Sequence, residues 1–225
     1  MSRLYILFLL LLIFATGCAV EKSVVPPVAS GECINSLEAN IAISFSSPQK
    51  SGSVSGVLNY APPTFMKFVI LNPFGSVMQE AWISGNKITL IDPANESAFV
   101  GALDQLPSEG LLNAWRLVPW VLDFSQSNTT SCRWGTPNSF KEKVTIEKGV
   151  TVRKELESGE FVQYGDYTVI RGIALPREII LYTPQHQKFK LVLDDIDVDL
   201  KSNNMKWSPD LKDKKVYPLS LLNPD

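Results

Sequence analysis

The stretch "TFMKFVILNPFGSVMQEAWISGNKITLID", residues 64–92, decides how this chain folds. Residues 64–71 are apolar on both faces apart from Lys67, the runs 76–83 and 87–91 follow, and two turn signals separate the three, Asn72-Pro73-Phe74-Gly75 and Gly85-Asn86. Period two with Pro, Gly and Asn at the breaks predicts three antiparallel strands joined by tight hairpins. Phe74 is out of place in such a turn. A large ring at a hairpin tip buries nothing of its own domain, so it either folds back onto the domain or meets a membrane or a partner.

The same period extends in both directions. Upstream, "LEANIAISFSS" (37–47) puts Ile41, Ile43 and Phe45 on one face, and "SGSVSGVLNY" (51–60) follows a Ser-Gly turn. Downstream, strands are predicted over 96–101, 142–147, 150–156, 160–164, 167–171, 177–183 and 188–199. Only "SEGLLNAWRLVPWVLDF" (108–124) is helical, with Leu111, Trp115, Val118 and Leu122 on one stripe. Ser108 suits the N-cap, and Pro119 is expected to split the segment into two short helices. These elements predict a single mainly β domain with a few helices (α+β) over residues 35–200, its sheet strongly curved around the helical insertion. Residues 201–225 show no period and form an unassigned tail.

The chain begins with Arg3, an unbroken apolar run from Leu4 to Phe14, and then Ala15-Thr16-Gly17-Cys18. That run is too short to span a bilayer and suits a signal peptide, residues 1–17. The small residues before Cys18 resemble a bacterial lipobox, which implies a mature N-terminus acylated at Cys18 with fatty chains such as palmitate; the alternative is an ordinary secretory signal with a chance cysteine. Stable anchoring needs more than one acyl chain. Ala19 in the following position implies, by the sorting rule of Gram-negative envelopes, the periplasmic face of the outer membrane. Residues 18–34, small, polar and proline-bearing, read as the lipidated tether.

Charge is nearly balanced, 21 Lys and Arg against 23 Asp and Glu, which argues against a nucleic-acid partner. Cys33 and Cys132 are either a disulfide that closes a long loop or two unrelated thiols. No catalytic constellation is visible: His186 is the single histidine and falls in a turn, and no phosphate-binding loop or HExxH occurs. The acidic run "DDIDVDL" (194–200) lacks the glycine and distal glutamate of a calcium loop and reads as a solvated strand face. No cofactor or metal is expected.

Several motifs, in their order, resemble the LolA/LolB family of lipoprotein-localisation proteins, and within it the LolB-like outer-membrane receptors. They are the lipobox, "ILNPFGS", "ITLID", the proline-bearing insertion with Trp115 and Trp120, "VQYGDY", "ALPREIIL" and "KFKLVLDDIDV". The resemblance implies an incomplete antiparallel β-barrel of about eleven strands with a helical lid over an apolar cavity. It also implies a monomeric lipid-binding chaperone in protein transport, which accepts acylated lipoproteins from a LolA-like periplasmic carrier and inserts them in outer-membrane lipid. Phe74 would be the membrane or partner contact. Met66, Phe68, Ile70, Trp82, Leu111, Trp115, Val118 and Leu122 are the candidate cavity lining, although a Leu/Trp stripe is also what an ordinary core presents. The alternative is a tethered envelope scaffold, or a binder of another lipid, on the same fold. The tail after Lys201 and the two cysteines are not part of the family pattern.

Overall fold

A computed structural model describes residues 34–62, 65–106, 112–123, 141–199 and 208–222. Among the described residues, twelve strands form one sheet: β1 Ser36–Ser46, β2 Ser51–Ala61, β3 Phe65–Leu71, β4 Val77–Ser84, β5 Lys87–Asp92, β6 Ser97–Ala102, β7 Glu142–Glu147, β8 Val150–Leu156, β9 Phe161–Ile170, β10 Ile173–Tyr182, β11 Lys188–Asp199 and β12 Lys215–Pro218. Their order across the sheet is β12-β6-β5-β4-β3-β2-β1-β11-β10-β9-β8-β7. The terminal strands β12 and β7 do not pair, so the barrel stays open, as an incomplete barrel requires. Every described strand, and the helix α1 (Leu112–Val121), lies after residue 33. Cys18, Cys33, Cys132 and Ser108 lie outside the described residues.

Alternation sets which face is buried. On β1, Leu37, Ala39 and Ile41 point inward; on β3, Met66, Phe68 and Ile70 do, opposite Ile83 and Ala81 of β4. Close approach of β2 to β3 requires Gly56, where an added Cβ would stand 2.1 Å from the Val69 carbonyl oxygen.

Four expectations need correction. The segments 160–164 and 167–171 are one strand, β9, because its register with β10 runs unbroken past Gly165 and Asp166. β10 starts at Ile173 rather than 177. Its Pro176 lies where β10 pairs with β9 alone, since pairing with β11 begins at Glu178, so no central ladder is interrupted. Pro119 does not split the helix: α1 continues through it to Val121, and the Leu122 N–H still reaches the Val118 oxygen at 2.9 Å. A proline two residues from the end removes one ladder bond and leaves no second helix to separate. The tail is not featureless: β12 adds to β6 in parallel, and the following 3₁₀ turn (Leu219–Leu222) buries Leu219 against Gly101.

The acidic run shows how pairing overrides a simple period. Leu191 and Leu193 face the helix side of the sheet, so unbroken alternation would drive Asp195, Asp197 and Asp199 inward. A bulge opposite Glu38 and Asn40 inserts one residue, with Asp195 at φ +48°. The phase flips, Val198 becomes buried, and Asp194, Asp195 and Asp197 stay exposed. They meet Arg177, Asn40 and Arg171 respectively. Among the described residues no cluster of His, Cys, Asp or Glu has the geometry to hold a metal ion.

Candidate functional site

Helix α1 crosses the inner face of the sheet with two different sides. Asn113, Leu117 and Trp120 are fully buried. Ala114, Trp115, Val118, Val121 and Leu122 instead border a cavity of about 470 Å³ between helix and sheet. Its floor comes from Ile43 and Phe45 of β1, Val54 of β2, Phe68 and Ile70 of β3, Leu181 of β10, and Phe189 and Leu191 of β11. Met78, Gln79 and Asp92 complete the mouth, and among the described residues that line it the last two are the polar ones. A pocket of this volume with an almost wholly apolar lining suits a hydrocarbon ligand.

Phe68 and Trp115 fix the helix over the floor, their rings meeting edge-on with centroids 5.1 Å apart. The C-terminal end of the helix is held by polar pins. Lys154, buried on β8, donates from Nζ to the carbonyl oxygens of Trp120 (2.9 Å) and Asp123 (2.8 Å). The Tyr164 hydroxyl donates to the Val121 oxygen at 2.8 Å. Glu142 accepts the Trp120 indole N–H at 2.6 Å and faces Lys154 Nζ at 3.5 Å. Burial pulls the Lys154 ammonium below the usual lysine range, while Asp123 and Glu142 oppose that shift. Burial also pushes the phenols of Tyr60, Tyr164 and Tyr167 upward. These pins satisfy the carbonyls that a helix end leaves without partners.

The mouth lies at one end of the sheet. The turns β1–β2, β3–β4, β5–β6 and β10–β11 all sit there, because Ser46 pairs with both Ser51 and Lys188, and Glu80 pairs with Ile91. In the β3–β4 turn, the Asn72 side-chain oxygen accepts the N–H groups of Phe74 and Ser76, both at 2.9 Å. The Gly75 N–H bonds the Asn72 carbonyl oxygen at 2.9 Å, and Gly75 takes φ +82°. This bonded turn holds Phe74 outward, 93 % exposed, beside the half-exposed Val77 and Met78. The ring does not fold back on its own domain. Met78 belongs to both surfaces, so the exposed patch is continuous with the cavity mouth.

Of the residues expected to line a cavity, Phe68, Ile70, Trp115, Val118 and Leu122 come together there. Leu111 lies outside the described residues. Met66 is buried deeper in the core, paired with Tyr60 and Ile83 away from the mouth. Trp82 is a correction: it is on the outer face, where its indole N–H donates to Glu80 at 2.9 Å and Lys67 Nζ lies 4.5 Å from its ring centroid. Ala81 and Ile83 hold the inward positions on β4, so Trp82 has the opposite phase. The contributions of β1, β2, β10 and β11 lie outside the expected lining. The signal for β11 is present in the inward alternation of Phe189 and Leu191, near strand ends that the short helix leaves uncovered.

No family model and no curated protein sequence matches this chain. Solved structures are similar to it in fold. A domain assigned to outer-membrane lipoprotein sorting from Vibrio parahaemolyticus aligns over 73 % of this chain and 86 % of its own, with TM-score 0.56 and 9 % identity. A DUF1329 family protein from Desulfovibrio piger aligns over 74 % and 86 %, with TM-score 0.55 and 9 % identity. A LolA superfamily protein from Nitrosomonas europaea covers 73 % and 86 %, at TM-score 0.49 and 12 % identity. At 9 % identity the likeness to the Vibrio and Desulfovibrio structures is one of fold alone.

Proposed function

We propose that this chain binds acyl chains in the cavity under α1 and serves as a LolB-like receptor. It takes acylated lipoproteins from a periplasmic carrier and passes them to the outer membrane, to which Cys18 anchors it. The observation that carries this reading is the apolar cavity, whose mouth runs through Met78 into the exposed Phe74 hairpin. The fold shared with a lipoprotein-sorting domain supports it. No bond is made or broken. Acyl chains move between apolar sites of rising affinity, driven by removal of their surface from water. Phe74 enters the headgroup–acyl boundary at the moment of release, where burying its ring gains about 1.5–3 kcal/mol.

The test is transfer of a fluorescent acylated lipoprotein from carrier to liposomes by a chain beginning at residue 19, which keeps every described strand and the helix. Phe74→Glu should leave cargo uptake intact and block delivery. Failure of the unmutated chain to take up cargo would refute the receptor reading.

A further inference from the structure

The end of the sheet that carries the cavity mouth has a second, polar face. Ser44 of β1 pairs with Ser53 of β2 and Lys190 of β11; Ser46 pairs with Ser51 and Lys188. These six residues alternate with the inward Ile43, Phe45, Val54, Phe189 and Leu191, so they stand on the outer face of the same three strands. Two adjacent rows therefore each present two hydroxyls and one ammonium. They border a groove of about 380 Å³. Lys50, exposed in the β1–β2 turn, immediately precedes Ser51 of the outer row.

Among the described residues, the one ion pair made by these three lysines joins Lys190 to Glu178 at 2.5 Å. Lys188 lies 5.8 Å from the ring centroid of Tyr182. Lys188 and Lys190 in the groove and Lys50 in the adjoining turn, against one glutamate, leave this end of the outer face positive in a chain whose net charge is −2. Hydroxyl and ammonium donors in rows are the chemistry that accepts phosphate oxygens. The position matters as much as the charge. β2 lies between β1 and β3, so the β1–β2 turn with Lys50 and the β3–β4 turn with Phe74 are near neighbours on one rim.

From this arrangement we infer that the rim docks on an anionic lipid surface, with lipid phosphates in the serine–lysine groove while Phe74 enters the bilayer. The inference rests on the acyl-transfer reading for its purpose but on separate residues for its chemistry. One inserted ring is a weak, reversible attachment, and a basic cluster beside it supplies the second signal that firm docking needs. It also orients the molecule, so that the cavity mouth faces the bilayer from which chains leave or enter. Each lysine held near an anionic surface is worth roughly a five-fold factor in binding.

The experiment is flotation of the chain beginning at residue 19 with phosphatidylcholine vesicles, with and without phosphatidylglycerol. A fluorescent acyl probe is titrated into the same samples. The variant Lys50→Gln/Lys188→Gln/Lys190→Gln tests the charge, and Ser44→Ala/Ser53→Ala tests the hydroxyls. The expected result is tighter binding to phosphatidylglycerol vesicles by about ten-fold or more, falling with salt. The triple lysine variant should lose that preference while its unfolding midpoint and acyl-probe affinity stay unchanged. Equal binding to both vesicles, or a triple variant that binds like the parent, would overturn the docking surface and leave the cavity reading standing. Anionic binding by a chain that takes up no acyl probe would do the reverse.

Discussion

Replacing Lys154 by Met should destabilise the fold by about 3 kcal/mol, and the structure says where that loss arises. Lys154 Nζ donates to the carbonyls of Trp120 and Asp123 at the end of α1. A thioether of similar length fills the space but donates nothing. The buried Trp120 carbonyl left without its donor costs about 1–3 kcal/mol, and the part-buried Asp123 carbonyl falls at the low end of that range. Glu142 loses its ion-pair partner but keeps the Trp120 indole and is a quarter exposed, so its share falls at the low end. Removing a buried ammonium returns part of its desolvation cost, which brings the total back to about 3 kcal/mol. Urea unfolding followed by tryptophan fluorescence measures it, and the midpoint should fall by roughly 1–2 M with an unchanged slope. The pH dependence gives an independent reading. Burial lowers the Lys154 pKa in the folded state, so between that value and 10.5 the unfolded chain binds more protons. Parent stability should therefore climb with pH in that window, and the Met variant should lose the climb. A loss under about 1 kcal/mol, or the same pH slope in both proteins, would refute the claim that Lys154 pins the helix end.

Other expectations follow from single features. Gly56→Ala should be severely destabilising, by about 3 kcal/mol or more, because its Cβ would press on the Val69 carbonyl oxygen rather than on a movable side chain; thermal unfolding checks this. Above pH 10 the unfolded chain ionises its tyrosines while burial keeps Tyr60, Tyr164 and Tyr167 protonated in the fold. Stability should then fall as pH rises, by up to about 4 kcal/mol per unit if all three contribute, measured by urea unfolding at stepped pH. Phe74→Glu should change the unfolding free energy by no more than about 0.5 kcal/mol, since the ring touches so little in the folded chain, which separates its role in delivery from any role in folding.

What the sequence made legible depended on whether one physical rule governed a segment. Strand alternation is such a rule, so β1 to β6 and their hairpins were readable, as was the Trp115, Val118, Leu122 stripe on the helix. Trp82 misled because β3 and β4 carry apolar residues on both faces, and a large ring looks more like core than Ala81 does. The inward phase was set by Ala81 and Ile83 pairing with Phe68 and Met66. β12 was invisible for a different reason. "KVYP" is too short to show a period, and its conformation comes from the open edge of β6. Lys154 and Tyr164 were also out of reach, since nothing local marks a lysine as buried; their partners are the carbonyls of a helix more than thirty residues earlier. The switch from Leu191 and Leu193 to Ile196 and Val198 could have revealed the bulge at Asp195, because the apolar phase changes from odd to even there.

The central claim is that the space under α1 holds an acyl chain. The most direct measurement is titration of a fluorescent acyl probe into the chain beginning at residue 19 and into Val118→Trp, which puts an indole into the cavity from the helix side. An acyl-binding cavity gives saturable binding by the parent and a loss of at least about ten-fold in the variant, with the fold intact by circular dichroism. Equal affinity in both proteins, or no binding by the parent, would contradict it.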